Sequence, residues 1–208
     1  ILISEPQAID YPAPFLPYMW AVLKSYWERH GNGASAYAWL NPIFMNADPD
    51  VLLLPYDDVT IDVVGLSCYT WNWNLQCAIA MRIKARHPRC LVVAGGPDPD
   101  YKDPHFFVKY PYIDAIAVKD GEISFTKILQ KLLVDDRNFL GIDGLYLPAA
   151  ARSADSRVFA GDHVYTGPAE VPKEFLHSPY LEQKHYYEQL INDSRPGAFH
   201  VSWETNRG

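Results

Sequence analysis

Three short apolar runs, each followed by a distinctive turn and separated by helical patterns, constrain this chain more than any other feature. They read Asp62-Val-Val-Gly-Leu-Ser-Cys-Tyr69, Cys90-Leu-Val-Val-Ala94 and Ala115-Ile-Ala-Val118. Runs this short and this uniformly apolar are expected to be strands buried on both faces. Between and after them, Trp73 to Arg86 is expected to be a helix closed by Pro88. Phe125, Ile128, Leu129, Leu132 and Leu133 form one apolar helical face. Strand-helix-strand order implies an α/β fold, a Rossmann-like parallel sheet with helices on both faces. In such sheets ligands bind outside the carboxyl ends of the strands. The three turns therefore fall on one edge.

The rest of the chain fits around that core. Ile1 to Ser4 is expected to be a first strand, entered as if already inside the element, with a loop carrying Pro6, Pro12, Pro14 and Pro17 after it. Leu16, Met19, Trp20, Leu23, Tyr26 and Trp27 recur at helical spacing, and Gly31-Asn-Gly33 is a stop. Tyr37 to Leu40 is a candidate second strand, and a short helix is expected to open at Asp103-Pro104. After Asn138 the character changes: residues 139–183 are expected to form a small extended piece, a hairpin over Ala151 to Gly167, and a linker from Pro168 to Tyr180. A brief helix near Tyr186 to Ile191 and an apolar strand from Ala198 to Trp203 follow. The expected division is a Rossmann-like domain over 1–138, the hairpin and linker over 139–183, and over 184–208 the start of a further, truncated domain. The absent initiator Met agrees with a segment of a longer chain.

Composition narrows the function. The 208 residues, 49% hydrophobic and 21% charged, suffice for a real core. A net charge of -7 without any Lys/Arg cluster argues against a nucleic-acid surface. No apolar run is long enough for a membrane span and no secretory signal is present, so a cytoplasmic protein is expected. Cys68, Cys77 and Cys90 have no metal-ligand spacing, and the seven histidines form no H-x-x-x-H or H-E-x-x-H pattern. Neither a P-loop nor a G-x-S-x-G nucleophile is present.

What remains at the site edge suits a large cofactor with a flat ring. Ser67 and Tyr69 alternate with Cys68, and Tyr69 and Trp71 offer aromatic surface beside Asn72. The same aromatics could instead cap the core. Gly95-Gly96 would let backbone approach a ligand, or would serve only as a tight turn before Pro97. The latter removes an amide that a pyrophosphate would want, and the G-x-G-x-x-G spacing is missing. Glu122 begins a helix after Gly121, where a carboxylate is favoured by the helix dipole, a structural role as natural as a functional one.

Taken in order, Ser67-Cys-Tyr-Thr-Trp-Asn72, Gly95-Gly96-Pro97 and Gly121-Glu122 resemble the cobalamin-binding domain of cobalamin-dependent radical S-adenosylmethionine enzymes. Gly141-Ile-Asp-Gly-Leu145, Ser178-Pro-Tyr-Leu181 and Trp203-Glu-Thr-Asn-Arg-Gly208 continue the likeness. The resemblance implies a cobalamin-binding fold in which Ser67, Tyr69, Trp71, Asn72, Gly95, Gly96, Pro97, Gly121 and Glu122 meet the cofactor. It also implies a following radical S-adenosylmethionine domain of the same parent chain, whose C-x-x-x-C-x-x-C loop holds a four-iron, four-sulfur cluster.

Two departures stand out. The D-x-H-x-x-G motif of cobalamin mutases is absent, since Glu5 to Leu16 contains no histidine, and Lys119-Asp120 stands where many relatives have Gly-Glu. For the parent, the resemblance implies methyl transfer to an unactivated carbon or phosphorus of a small-molecule or peptide substrate. Ring contraction or cyclisation within the same family, or a cobalamin-free scaffold of the same fold, are the alternatives. No catalytic or metal-ligating residue is assigned to this chain itself.

Overall fold

The computed structural model describes residues 1–8, 13–149, 163–172, 178–194 and 199–202. Four strands, β1 (Leu2–Ser4), β2 (Val63–Ser67), β3 (Leu91–Gly95) and β4 (Ala115–Ala117), lie side by side in sequence order and run parallel. β5 (Leu145–Pro148) and β6 (His163–Tyr165) continue the same sheet antiparallel. The α/β class therefore stands, with a mixed sheet of six strands. The extended piece after Asn138 joins that sheet because β5 is apolar on both faces: Leu145 and Leu147 enter one core and Tyr146 the other. Most of the expected hairpin, residues 151–162, lies outside the described residues.

Alternate residues of each strand divide between two cores. Ile3, Val63, Val93 and Ala115 pack on one face against α1 (Met19–His30) and α5 (Glu122–Leu132) through Trp20, Trp27, Phe125 and Ile128. Leu2, Val64, Val92 and Ile116 pack on the other face against α2 (Pro49–Leu53), α3 (Trp73–Arg86) and α4 (Phe106–Lys109) through Leu53, Ile79, Ile83 and Phe106. Gly65 sits in β2 because a Cβ there would meet the Ile3 side chain at 2.8 Å and Phe125 at 3.5 Å. No helix among the described residues is long and apolar enough to cross a membrane.

Several local expectations change in the fold. Tyr37 to Leu40 forms no strand; the chain instead runs along the free edge of β1. There Leu40 donates to Ile1 (2.8 Å), Ile43 donates to Ile3 (3.0 Å), and Ser4 and Ile43 form a parallel bridge. Pro42, which has no N–H, keeps the pairing short. α2 was not foreseen, although Asp48-Pro49 carries its signal: the Asp48 carboxylate accepts from the Asp50 amide at 2.9 Å and Pro49 opens the helix. α4 starts at Phe106, not at Asp103, because Asp103 first closes a turn through the His105 amide. Near the end, α6 (Pro179–Glu182) and α7 (Lys184–Asn192) dock on α1, where the Tyr187 hydroxyl donates to the Pro17 carbonyl at 2.5 Å. The expected strand over Ala198 to Trp203 is described only at 199–202, where His200 forms a parallel bridge with Phe15.

Candidate cofactor-binding edge

A crevice opens at the carboxyl edge of a parallel sheet wherever neighbouring strands send their next helices to opposite faces. Here that happens twice. β1 leads to α1 on one face while β2 leads to α3 on the other, and β3 leads to α4 while β4 leads to α5.

The first divergence is closed by carboxamides. Asn72, 1% exposed, donates from Nδ2 to the carbonyls of Pro6 (2.8 Å) and Ser67 (3.0 Å), and its Oδ1 accepts from the Tyr69 amide (2.8 Å). Gln76, fully buried, donates to the carbonyls of Ser4 (2.7 Å) and Ser67 (3.0 Å). These bonds sew the β2–α3 loop to the end of β1. Asn72 thus faces inward, and its part is to shape the loop. Gln76, one helical turn further on, was not singled out from sequence; a glutamine on the buried face of an apolar helix was the available signal.

With the loop held this way, Tyr69 and Trp71 stack face to face, ring centroids 4.5 Å apart and planes 9° from parallel. Trp71 is 57% exposed, so the pair offers a flat apolar surface to solvent. Ser67 ends β2 half-buried.

The second divergence carries two glycines. Gly95 ends β3, and a Cβ there would meet nothing nearer than the Ala117 carbonyl at 3.7 Å. Gly96 differs. Its φ is +90°, and an added Cβ would fall well inside contact distance of the Cys68 carbonyl oxygen. The neighbouring backbone therefore demands glycine at 96, whereas at 95 a Cβ would make only ordinary van der Waals contacts. Pro97 is exposed beside them. Across the crevice, Gly121 caps α5 and Glu122, 2% exposed, occupies its first turn. Lys119 holds a left-handed φ of +59°, a conformation that suits glycine. The three turns singled out from sequence thus lie on adjacent strand ends.

The fold also brings unexpected groups to this edge. Glu5, at the end of β1, caps α1 from a distance, its two carboxylate oxygens accepting from the amides of Tyr18 (2.8 Å), Met19 (3.0 Å) and Trp20 (2.9 Å). Desolvation nonetheless pushes its carboxyl up to about 7, against the lowering effect of those three amides. His200 lies beside the loop after β1, its ring centroid 5.1 Å from that of Phe15. No sequence spacing could have revealed that neighbour. At the opposite edge a cavity of about 540 Å³, lined by Asp62, His87, Arg89, Asp135 and Arg137, lies far from all the predicted residues and presents charges of both signs.

The cysteines are poor metal ligands as they stand. Burial pushes the Cys90 thiol up to about 12 and that of Cys68 higher still, and the half-buried Cys77 thiol is raised too. Among the described residues no group of three or more His, Cys, Asp or Glu side chains could hold a metal ion.

The carboxyl edge of the α/β sheet thus carries an exposed aromatic pair next to the Gly95-Gly96 turn. The same fold is seen in the cobalamin-dependent S-adenosylmethionine radical enzyme OxsB with aqua-cobalamin bound: the TM-score is 0.66 at 19% identity, over 95% of this chain and 26% of that one. With aqua-cobalamin and S-adenosylmethionine bound, OxsB matches at a TM-score of 0.61 over 82% of this chain. No family model matches. In sequence the chain is 33% identical over 198 residues to the cobalamin-dependent radical SAM methyltransferase TokK of Streptomyces tokunonensis. It is 32% identical over 197 residues to the 2-(S-pantetheinyl)-carbapenam-3-carboxylate methyltransferase of Streptantibioticus cattleyicolor. Each match covers 94% of this chain and 27% of the relative, so the chain spans about a quarter of the length of those proteins. The chain is thus similar in sequence to one portion of each of these two methyltransferases.

Proposed function

We propose that this chain binds cobalamin at the carboxyl edge of its sheet, as the cofactor-carrying domain of a longer radical S-adenosylmethionine methyltransferase. The observation that carries this is the exposed, flat Tyr69–Trp71 stack beside the Gly95 turn, where a Cβ would meet only two backbone carbonyls, at ordinary contact distance. A corrin ring is broad and apolar on its faces, and its nucleotide tail is a narrow arm. The platform suits the first and the crevice the second. Ser67, Tyr69, Trp71, Gly95 and Pro97 would touch the cofactor. Asn72 and Gly96 would hold the loops that present it, and Gly121 and Glu122 would set the far wall of the crevice. Cobalamin, when bound, supplies a cobalt centre able to carry a methyl group; the chain supplies binding and orientation.

In this reading residues 1–138 form the binding unit, 139–183 complete its sheet and connect onward, and 184–208 lead toward the domain that holds the cluster and S-adenosylmethionine. Methyl transfer is favoured over other radical outcomes because both sequence relatives are named methyltransferases. The class of acceptor carbon or phosphorus is not set by these residues.

Reconstitution with hydroxocobalamin, gel filtration and absorption spectroscopy test the reading: stoichiometric retention is expected, and a chain that retains no corrinoid refutes it. The cobalt is expected to show no nitrogen ligand by paramagnetic resonance in its reduced form. His200 is the neighbour to check. His200→Ala should leave that spectrum unchanged, whereas nitrogen splitting that vanishes in the variant would assign the ligand to His200.

A further inference from the structure

The amino edge of the sheet, opposite the turns of the cofactor edge, holds the cavity of about 540 Å³. β2 and β3 both begin there, so residues just before them, Asp62 and His87 to Cys90 among them, meet Tyr37, Leu132 and Arg137 around one space. Its volume lies in the range of small-molecule sites, roughly 300–1,000 Å³.

Four carboxylate or guanidinium groups share the lining, and two of them answer each other: Arg89 Nη2 lies 3.8 Å from Asp135 Oδ1. Asp62 and Arg137 remain. They are opposite in sign, exposed, and in no ion pair among the described residues. The Ile1 ammonium, which feels the Asp62 charge, donates instead to the Ala38 carbonyl at 2.7 Å. Arg137 is held by a donor bond from Nη2 to the Arg89 carbonyl at 3.0 Å, which leaves most of its five N–H groups for another acceptor. Ile61, Pro88 and Leu132 give the cavity aliphatic walls. Tyr37 adds its ring, since its hydroxyl donates to the Leu129 carbonyl at 2.8 Å. A lone anion in this space would face Asp62, and a lone cation would face Arg137. The lining is complementary to a small apolar body that carries both charges.

We propose that this cavity binds a free α-amino acid with an apolar side chain, its ammonium at Asp62, its carboxylate at Arg137 and its side chain against Ile61, Leu132 and the Tyr37 ring. The site does not rest on the cobalamin reading, because none of its residues belongs to the carboxyl edge.

Saturation-transfer NMR titrations of the 208-residue chain with L-leucine test this, alongside leucinol, which lacks the carboxylate, and isocaproate, which lacks the ammonium. The wild type is expected to bind L-leucine more tightly than either analogue. Asp62→Asn and Arg137→Gln replace exposed charges, so each should keep the wild-type thermal midpoint and weaken L-leucine about two- to fivefold, the range of one exposed ion pair. The analogues separate charge recognition from a general disturbance. Asp62→Asn should weaken leucinol and spare isocaproate, and Arg137→Gln should do the reverse. Absence of saturable L-leucine binding to the wild type overturns the proposal. So does either variant that weakens both analogues alike or leaves L-leucine unaffected.

Discussion

Two adjacent glycines that look alike in sequence do different work. Gly96 is left-handed and pressed against the Cys68 backbone, so Gly96→Ala should destabilise the fold by about 1–3 kcal/mol from backbone conformation alone, with a contact penalty added. Gly95→Val meets no such obstacle. It should leave the thermal midpoint near the wild type and weaken cobalamin binding by filling the crevice; a folded Gly95→Val variant with full affinity would remove Gly95 from the site. Glu5 makes a pH-dependent prediction. Its folded pKa is raised from 4.5 to about 7, so the folded state holds the proton more tightly than the unfolded chain does. The stabilisation this linkage adds is complete below about 4.5 and disappears as pH rises through about 7. Facing the carboxyl are Tyr18, Tyr180, Tyr186 and Tyr187, and burial raises the last three hydroxyls further above their ordinary value of 10.0, well clear of this window. Denaturation midpoints should therefore fall between pH 5 and pH 8 in the wild type more than in Glu5→Gln, and equal slopes would refute the assignment.

At the scale of elements, the loop after β2 depends on side chains that never reach its surface. Asn72→Ala deprives the Tyr69 amide and the carbonyls of Pro6 and Ser67 of partners and should cost about 2–4 kcal/mol. The Tyr69–Trp71 stack should loosen with it, visible as altered tryptophan fluorescence before global unfolding. An Asn72→Ala variant with wild-type stability and fluorescence would show that the loop is held by other means. The turn after β4 illustrates the opposite balance. Lys119 occupies a backbone region that costs a non-glycine residue about 1–2 kcal/mol, so Lys119→Gly should raise the thermal midpoint. Strain of this kind persists where the surroundings over-determine it, and here Val118 is tied to Gly144 and Glu122 is buried in the first turn of α5.

For the molecule as a whole, the thiols decide a further prediction. Burial holds all three cysteines away from the thiolate form, so this chain, given S-adenosylmethionine and a reductant, should release no deoxyadenosine above a protein-free control. Turnover would contradict its place as the cofactor-carrying part. The central strands and α3 could be read directly, because an apolar run buried on both faces and a 3.6-residue period leave few alternatives. Tyr37 to Leu40 misled for the same reason: β-type residues specify an extended chain, while the Ile43 register against Ser4 decides where it pairs. The residue types of the carboxyl edge, and the family they resemble, were thus determined by sequence alone. Only the tertiary structure decided which of those residues face outward. Asn72 and Trp71 are neighbours in the chain, yet one is buried by hydrogen bonds to Pro6 and Ser67 while the other is exposed on a ring stack. Likewise His200 reaches the loop after β1. The pairings of Asn72 with Pro6 and of His200 with Phe15 join residues 66 and 185 positions apart, and their geometry is set by how the two cores pack, which no local pattern encodes.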